Sequence, residues 1–103
     1  MSRKALEQLS ETMFYVLMAF HHGNFCGSEV TAWIAERTDH RICMGPGTLY
    51  TILAQFESAG VLTPEKSDGR KKHYRITEKG RSLYAEELAR LRRCVSDAEE
   101  KEL

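Results

Sequence analysis

The basic side chains of this sequence are concentrated in one short segment. Between positions 66 and 81, seven lysines and arginines stand against two acidic residues, although the whole chain has no net charge. Such side chains replace the counterions of nucleic-acid phosphates, and each neutralised phosphate adds about 0.9 to the slope of log affinity against log salt concentration. One interpretation is phosphate binding by Arg70, Lys71, Lys72 and Arg75. The alternative is a ribbon whose charges only protect an exposed β-edge from aggregation.

A second set of residues with recognition chemistry lies in and after the sequence GPGTLY at positions 45–50. The amide of Gln55 can pair with an adenine, and Thr48 or Thr51 can contact a thymine methyl group or a phosphate. Gly47 lets the backbone N–H groups at a helix start come close to a phosphate. Tyr50 lies on the flank of this set, where DNA contact and simple packing are both compatible with the sequence.

The sequence gives little evidence for a metal site, a reactive thiol or a catalytic site. His21, His22, Cys26 and His40 are ligand types, but their spacing matches no established site, so neither a metal nor a cofactor is predicted. The three cysteines form no Cys-x-x-Cys pair, which favours reduced thiols. Redox sensing by Cys94 or Cys26 stays open, although a free thiol mainly behaves as a small apolar side chain. No catalytic triad, carboxylate pair or phosphate-binding glycine loop can be assembled, so no enzyme is predicted.

Length and hydropathy limit the class of protein. A chain of 103 residues accommodates one compact core. Its longest apolar stretch, 13–20, is far shorter than the roughly 18 residues of a membrane span. Glu7 and Glu11 occupy the place where a signal peptide would be basic. We therefore expect a cytoplasmic protein without a membrane partner.

Helical periodicity defines the first half of the chain. Apolar residues at three-and-four spacing predict a first helix that ends before Gly23 and buries Leu6, Leu9, Met13, Val16, Leu17 and Phe20. A short second helix is predicted from about Ser28 to Thr38, and its apolar side carries Trp33. Residues 41–44 are compatible with either a small strand or an extended connector.

A third helix is predicted over about 46–59. Pro46 suits its first position because the ring fixes φ and lacks an N–H, with Gly45 as the preceding cap. Gly60 supplies the left-handed residue that follows the C-terminus. The buried stripe of this helix consists of Leu49, Ile52, Leu53 and Phe56. The opposite face is small and uncharged, and it carries Thr51, Ala54, Gln55 and Ser58.

A β-hairpin is predicted after the third helix, over about 61–77. Its strands, 61–66 and 71–77, flank the turn-forming tetrapeptide 67–70, which contains Asp-Gly. In the second strand, Tyr74 and Ile76 fall on one face, while His73 and Arg75 fall on the other. One face of the hairpin can therefore pack against the core while the other stays in water.

A long amphipathic helix is predicted from Glu78 toward Lys101, with Thr77 as its N-cap. Its apolar stripe, at alternating spacings of four and three, consists of Tyr84, Leu88, Leu91, Val95 and Ala98. A helix of about 20 residues is about 30 Å long and would project from so small a core with its stripe exposed. A second copy of the chain is the expected cover. Packing of the stripe against its own domain is the alternative.

Three helices followed by a two-stranded ribbon are the element order of a winged helix-turn-helix, whose third helix enters the major groove of DNA. The predicted fold class is therefore mainly α (α+β), with a winged helix-turn-helix domain over 1–77 and a dimerisation helix over 78–103. The recognition helix spans about 46–59 and the wing about 61–77. In a homodimer, two recognition helices about 34 Å apart would read an inverted-repeat operator in double-stranded DNA.

Three segments carry a family resemblance: GPGTLY at 45–50, FESAGVL at 56–62 and GRKKHYRITEKG at 69–80. Together they closely resemble the PadR-like transcriptional regulators, in the branch with a single C-terminal dimerisation helix. The resemblance implies a dimeric repressor that releases its operator in response to a small ligand or stress signal. Trp33 would line a pocket for a hydrophobic or aromatic effector, or else belong to the core. The chain departs from the family pattern at Ser28, where Tyr is usual, and at Ala54 and Gln55, where basic residues are frequent.

Two classes of function follow from these observations. The first is a homodimeric, sequence-specific DNA-binding repressor of the PadR type. The alternative is an adaptor that uses the winged helix for protein contacts alone. Salt distinguishes them, because affinity for DNA falls steeply with ionic strength whereas the adaptor would retain its protein partner.

Overall fold

The described part of the protein folds into four helices and a small antiparallel sheet. The computed structural model describes residues 9–65 and 71–100. Its elements, in chain order, are α1 (Glu11–His22), β1 (Phe25–Cys26), α2 (Gly27–Arg37), α3 (Pro46–Ser58), β2 (Leu62–Glu65), β3 (His73–Ile76) and α4 (Glu78–Glu100). This order confirms the predicted class, three helices followed by a wing and a long last helix. Over the described ranges, no helix is long and apolar enough to span a bilayer.

The first helix begins later than its apolar spacing suggests. Its predicted range includes Leu9, but Ser10 adopts an extended backbone, and its hydroxyl accepts a hydrogen bond from Met13 N at 3.1 Å. A serine that binds a backbone N–H in this way starts a helix rather than continuing one. Leu9 is nevertheless buried, ahead of the helix. The predicted Leu6 lies outside the described residues.

The two-residue strand β1 is absent from the sequence prediction. Phe25 and Cys26 pair with Tyr74 and His73 of β3, which gives the strand order β1-β3-β2. Two residues are too few to show the alternation by which a strand is identified in a sequence. Cys26 N donates to Glu29 Oε1 at 2.9 Å, which ties β1 to the first turn of α2. The wing is therefore joined to the helical part of the domain through β3.

The connector between α2 and α3, left open by the sequence, contains no strand at 41–44. Asp39 and His40 adopt left-handed conformations after α2, with φ of 53° and 63°. Arg41 Nη1 then lies 3.1 Å from Glu11 Oε2, and Arg41 Nη2 donates to the Tyr15 hydroxyl at 3.1 Å. These contacts join the turn to α1.

The third helix confirms its prediction at both ends. Pro46 occupies its first turn with Gly45 as the cap, and Gly60 has a φ of 78° just beyond the C-terminus. The side chains that α3 buries are those of Leu49, Ile52, Leu53 and Phe56, as the spacing predicts. Because this stripe faces the core, the opposite side of α3 faces solvent.

The wing strands β2 and β3 pair in an antiparallel register along their full length. Tyr74 and Ile76 are buried whereas Arg75 is exposed, which confirms the predicted alternation. Pro64 is compatible with β2 because that strand lies at the edge of the sheet. The predicted turn at 67–70, which includes Arg70, lies outside the described residues.

The start of α4 is fixed against the end of α3. Thr77 acts as the predicted N-cap, since its Oγ1 accepts from Gly80 N at 3.0 Å. The same hydroxyl donates to Gly60 O at 2.6 Å. A Cβ at Gly80 would collide with the carbonyl oxygen of Val61. The direction in which α4 leaves the domain is thus set by close backbone contact.

The apolar stripe of α4 divides into two halves. The Tyr84 ring stacks on Phe14 of α1 at a centroid distance of 5.4 Å, and Leu88 and Leu91 also pack against the core. The expectation of a wholly exposed stripe is wrong for these three residues, because α1 offers an apolar surface that covers them. The remaining members, Val95 and Ala98, are exposed. Their burial by a second copy stays a prediction.

A buried carboxylate joins α4 to the segment before α1. Glu87 is 3% exposed, and its Oε2 accepts from Arg90 Nη2 at 2.6 Å and from Leu9 N at 3.3 Å. The hydrogen bonds from Arg90 hold the pKa of Glu87 below its ordinary value, although burial acts in the opposite direction. The Leu9 N–H and the charge of Arg90 lower this pKa further. Glu87 is therefore a charged group that stabilises the folded state at neutral pH.

Glu87→Gln is expected to lower the free energy of unfolding by about 1–3 kcal/mol at neutral pH, because it weakens hydrogen bonds to a buried charge. With a folded-state pKa below the unfolded one, this stabilisation is present above about pH 4.3 and is lost as the pH falls through the folded-state pKa. Urea unfolding at neutral pH and at about pH 3, at one protein concentration, measures both effects.

The exposed neighbour supplies the control for this change. Glu86→Gln is expected to leave the free energy of unfolding nearly unchanged, because Glu86 is exposed on α4. The buried carboxylate would not have the stabilising role assigned to it if Glu87→Gln were as stable as Glu86→Gln. The same conclusion would follow if Glu87→Gln lowered the free energy of unfolding by the same amount at both pH values.

Candidate nucleic-acid interface

The exposed side of α3 is a strip of small and polar side chains. This α3 strip consists of Thr48, Thr51, Ala54, Gln55 and Ser58, all of them exposed. Thr51 Oγ1 donates to Gly47 O at 3.0 Å, so its hydroxyl hydrogen is used within the helix and its oxygen can only accept. Gln55 carries an amide that both donates and accepts. The strip therefore combines hydrogen-bonding groups with little steric bulk.

The glycines at the start of α3 are not required by the packing of the domain. Among the described residues, and apart from its chain neighbours and the backbone of its own helix, a Cβ added at Gly45 or Gly47 would meet no heavy atom within 4 Å. Neither residue has a left-handed φ, whereas Gly60 does. The start of α3 is thus an open surface whose backbone N–H groups, at the positive end of the helix dipole, favour an anion.

Tyr50 extends from the flank of α3 over the start of α2. It is 58% exposed, and a Cβ at Gly27 would lie only 2.9 Å from its hydroxyl oxygen. Tyr50 also lines a surface cavity of about 460 Å³ together with Lys71, Lys72 and Tyr74. The flank of α3, the start of α2 and the two lysines that precede β3 therefore form one continuous surface.

The two lysines that precede β3, called here the wing base (Lys71 and Lys72), are exposed. Lys72 Nζ lies 3.8 Å from Glu57 Oε1 and 5.5 Å from the centroid of the Tyr74 ring. Ion pairs between such exposed side chains contribute little stability. A phosphate can therefore replace the carboxylate of Glu57 as the partner of Lys72 without disturbing the fold.

The remaining basic residues of the 66–81 segment differ in availability. Arg75 is exposed on β3, with its Nε 3.2 Å from Glu65 Oε2. Lys79 Nζ donates to Ala59 O at 2.7 Å, so this lysine caps the C-terminus of α3. Arg70 lies outside the described residues. The predicted DNA-binding residues that the structure describes lie on α3, at the wing base or on β3: Gly47, Thr48, Tyr50, Thr51, Gln55, Lys71, Lys72 and Arg75.

Trp33 is half-buried between two neighbouring side chains. Its ring centroid lies 5.1 Å from that of His22, and the guanidinium carbon of Arg37 lies 5.0 Å above the ring. Trp33 also packs, partly buried, against the core, so one part of its ring faces the interior and another part lies at the surface. An effector pocket at Trp33 stays a prediction, as does redox sensing by Cys94, which is exposed on α4.

The structure also groups three ligand-type side chains that sequence reasoning does not connect. Cys26, Glu29 and His73 place a sulfur, a carboxylate oxygen and a ring nitrogen within 4.8 Å of one another. The N–H of Cys26 holds the pKa of Glu29 below its ordinary value, and electrostatic interactions with His73 and Lys71 act more weakly in the same direction. Only the register of β1 against β3 reveals this group. The histidines considered from the sequence lie elsewhere, on α1 and in the turn after α2.

Comparison with known proteins identifies related sequences. Residues 16–86 match a family model described as the transcriptional regulator PadR-like family. The chain is also 33% identical, over 85 residues, to an uncharacterized 37.1 kDa protein in transposon TN4556 of Streptomyces fradiae. This match covers 80% of the chain and 24% of the relative, so the chain spans about a quarter of the relative's length.

Solved structures share the fold at low sequence identity. A transcriptional regulator from Clostridium thermocellum aligns with a TM-score of 0.78 at 22% identity, over 85% of this chain and 89% of the other. Bacillus subtilis PadR in complex with operator DNA aligns with a TM-score of 0.67 at 19% identity, over 77% of this chain and 47% of the other. These alignments confirm the winged-helix fold class.

Leu49 and Tyr50 are adjacent in sequence but differ in their expected contribution to stability. Leu49→Ala removes a side chain that is 2% exposed and is expected to lower the free energy of unfolding by about 2–5 kcal/mol. Tyr50→Ala is expected to change it by less than about 1 kcal/mol, because Tyr50 is largely in solvent. Urea unfolding of both variants measures the difference. An equally large loss for Tyr50→Ala would show that Tyr50 serves packing instead of an external contact.

Proposed function

Because the chain belongs to the transcriptional regulator PadR-like family, we propose that it is a homodimeric, sequence-specific DNA-binding repressor with α3 as its recognition helix. The observation that carries the proposal is the continuous surface formed by the uncharged α3 strip, Tyr50 and the wing base. A non-catalytic role in the cytoplasm belongs to the same proposal. Its partner is an inverted-repeat operator in double-stranded DNA.

Base recognition falls to the middle of the α3 strip. The major groove, about 12 Å wide, admits an α-helix. Ala54 and Ser58 are small, so the helix axis can come close to the base edges. Gln55 then presents its amide to N6 and N7 of an adenine. Thr51, whose hydroxyl hydrogen is bonded to the helix backbone, offers its methyl group to a thymine. Sequence preference therefore depends mainly on Gln55.

Phosphate binding uses two places on either side of the α3 strip. At the start of α3, the open surroundings of Gly45 and Gly47 allow a phosphate to reach the backbone N–H groups. At the wing, Lys71, Lys72 and Arg75 attract the backbone through their charge and contribute affinity without sequence preference. The chain has no net charge. Its attraction to DNA is therefore confined to the surface that carries these residues.

Homodimer formation accounts for the free end of α4. Val95 is 55% exposed, and Ala98 is exposed one helical turn later. An apolar surface at the end of a 23-residue helix is covered by the same surface of a symmetric partner. The first half of α4 packs on its own domain, so it fixes how far apart the two domains stand. Two copies of α3 about 34 Å apart then match successive major grooves.

Regulation by a small hydrophobic or aromatic effector belongs to the same proposal. Its support within this chain is the half-buried Trp33 ring of α2 beside the exposed His22 ring of α1, which together present flat rings at the surface. A planar molecule can stack on such rings. In this scheme the second copy completes the pocket, and binding of the effector releases the operator.

The division between charge and base recognition is tested on duplex fragments that the purified protein retains from its own genome. Lys71→Ala/Lys72→Ala is expected to weaken binding to every sequence and to lower the slope of log affinity against log salt by about 1.8 per protomer. Gln55→Ala is expected to relax the preference at one base pair by about 1–3 kcal/mol and to leave the slope unchanged. Fluorescence anisotropy over a salt series measures both quantities.

Lys79→Ala is the matched control. The ammonium group of Lys79 is hydrogen-bonded to the end of α3, so its removal should not alter the salt slope. A flat salt response of the unaltered protein would count against DNA binding. If Gln55→Ala and the double lysine variant changed the salt slope and the sequence preference in the same way, the assignment of base recognition to Gln55 and of phosphate binding to the lysines would be wrong. A dimer that ignores duplex DNA but retains a protein partner at high salt would favour the adaptor function.

The dimer is tested by placing a charge on the exposed half of the α4 stripe. Val95→Glu is expected to weaken self-association by at least about tenfold, because it would bury a carboxylate in an apolar contact. Ala89→Glu is the control, since Ala89 is exposed on α4 about 120° around the helix from Val95. Sedimentation velocity over a concentration series measures the equilibrium. An unaltered protein that stays monomeric at micromolar concentration, or equal behaviour of the two variants, would exclude this interface.

A further inference from the structure

A thiol, a carboxylate and an imidazole converge where the wing joins α2. Cys26 Sγ, a carboxylate oxygen of Glu29 and a ring nitrogen of His73 all lie within 4.8 Å of one another. In a tetrahedral zinc site, bonds of about 2.0–2.3 Å place the ligand atoms about 3.3–3.8 Å apart. Small rotations of the side chains are enough to bring these three atoms to coordinating positions.

The backbone holds the three residues in place. Cys26 and His73 are direct partners in the pairing of β1 with β3, and directly opposed side chains share one face of a sheet. Glu29 lies in the first turn of α2, where its Oε1 accepts from Cys26 N at 2.9 Å. The same oxygen lies 3.6 Å from His73 Nε2. One cross-strand pair and one helical turn thus organise three different ligand types before any ion binds.

The group has a buried side and an open side. Cys26 is 3% exposed, His73 is half-buried and Glu29 is exposed. An ion can enter from the side of Glu29 while the sulfur stays shielded from solvent. An accessible path and preorganised ligands are both requirements of a metal site.

The ligand set favours zinc over the common hard cations. Thiolate and imidazole are zinc ligands, whereas Mg²⁺ and Ca²⁺ prefer oxygen ligands. Binding displaces the thiol proton of Cys26 into solvent, and His73 coordinates as the neutral imidazole. One thiolate and one carboxylate then balance the charge of the dication. Three protein ligands leave the fourth tetrahedral position to water.

We propose that Cys26, Glu29 and His73 bind one Zn²⁺ ion, which fastens β3 to the start of α2. Lys72 directly precedes His73 in the chain, and Tyr50 of α3 lies over the start of α2. The ion therefore fixes the wing base relative to the recognition helix and raises affinity for DNA. This effect on DNA rests on the proposed function, whereas metal binding itself does not.

The test uses Co²⁺ as a spectroscopic probe and Zn²⁺ as its competitor on the full chain. Because Cys43 and Cys94 are exposed thiols, the reference protein carries Cys43→Ser and Cys94→Ser. It is expected to bind one equivalent of Co²⁺ with the absorption of tetrahedral thiolate coordination, which Zn²⁺ abolishes. His73→Gln in this background is expected to weaken Zn²⁺ binding by at least about tenfold, since changes outside the ligand shell already cost about 10–100-fold.

His21→Gln supplies the matched control, because His21 is an exposed histidine of α1 and should not affect the site. The proposal is overturned if the reference protein binds neither ion at micromolar concentration, or if His73→Gln and His21→Gln bind Zn²⁺ equally well. In the DNA assay, Zn²⁺ should raise the affinity of the reference protein but not that of His73→Gln, and equal affinity with and without the ion would refute the coupling. A protein that binds Zn²⁺ but no duplex would confirm the metal site and contradict the proposed function.

Discussion

The burial of one side of α3 is the interaction on which the rest of the structure depends. The four apolar side chains of this helix fill the core against the neighbouring elements, and they are almost inaccessible to solvent. A helix that buries one stripe must present the opposite one to solvent. The orientation of Thr51 and Gln55 therefore follows from packing and does not require any partner. These side chains do not contribute to the core, so contacts outside the protein can determine their identity.

The central position of β3 is a second constraint, and it determines where the positive charge is placed. This strand pairs with β1 on one side and β2 on the other, while Tyr74 and Ile76 anchor it in the core. The lysines that precede it consequently emerge at a fixed place beside α3. Any ion or molecule that acts on the junction of β1 and β3 acts on the wing base as well.

The parts of the fold that depend on local chemistry are predictable from the sequence. Pro46 and Gly60 mark the ends of α3, and the alternation within β3 reveals its buried face. The positions of the α3 strip and of the wing base can therefore be predicted from the sequence. Features that depend on contacts between residues far apart in the sequence are not predictable in this way. The spacing of α4 identifies an apolar stripe, but only the fold shows that Tyr84 stacks on Phe14 and that Leu88 and Leu91 also pack against the core. The two residues of β1 have no periodicity of their own, and the proximity of Cys26, Glu29 and His73 at the junction of β1 with β3 is hidden for the same reason.

Chemical-shift mapping of backbone amides offers the most direct test of α3 as the DNA-reading element. Isotope-labelled protein would be titrated at low salt with a duplex fragment that it retains from its own genome. The largest shift changes are expected at Gly47, Thr51 and Gln55 of α3 and at Lys71 and Lys72 of the wing base. Changes confined to α4, or a spectrum that the duplex leaves unaltered, would contradict the assignment of this surface to DNA.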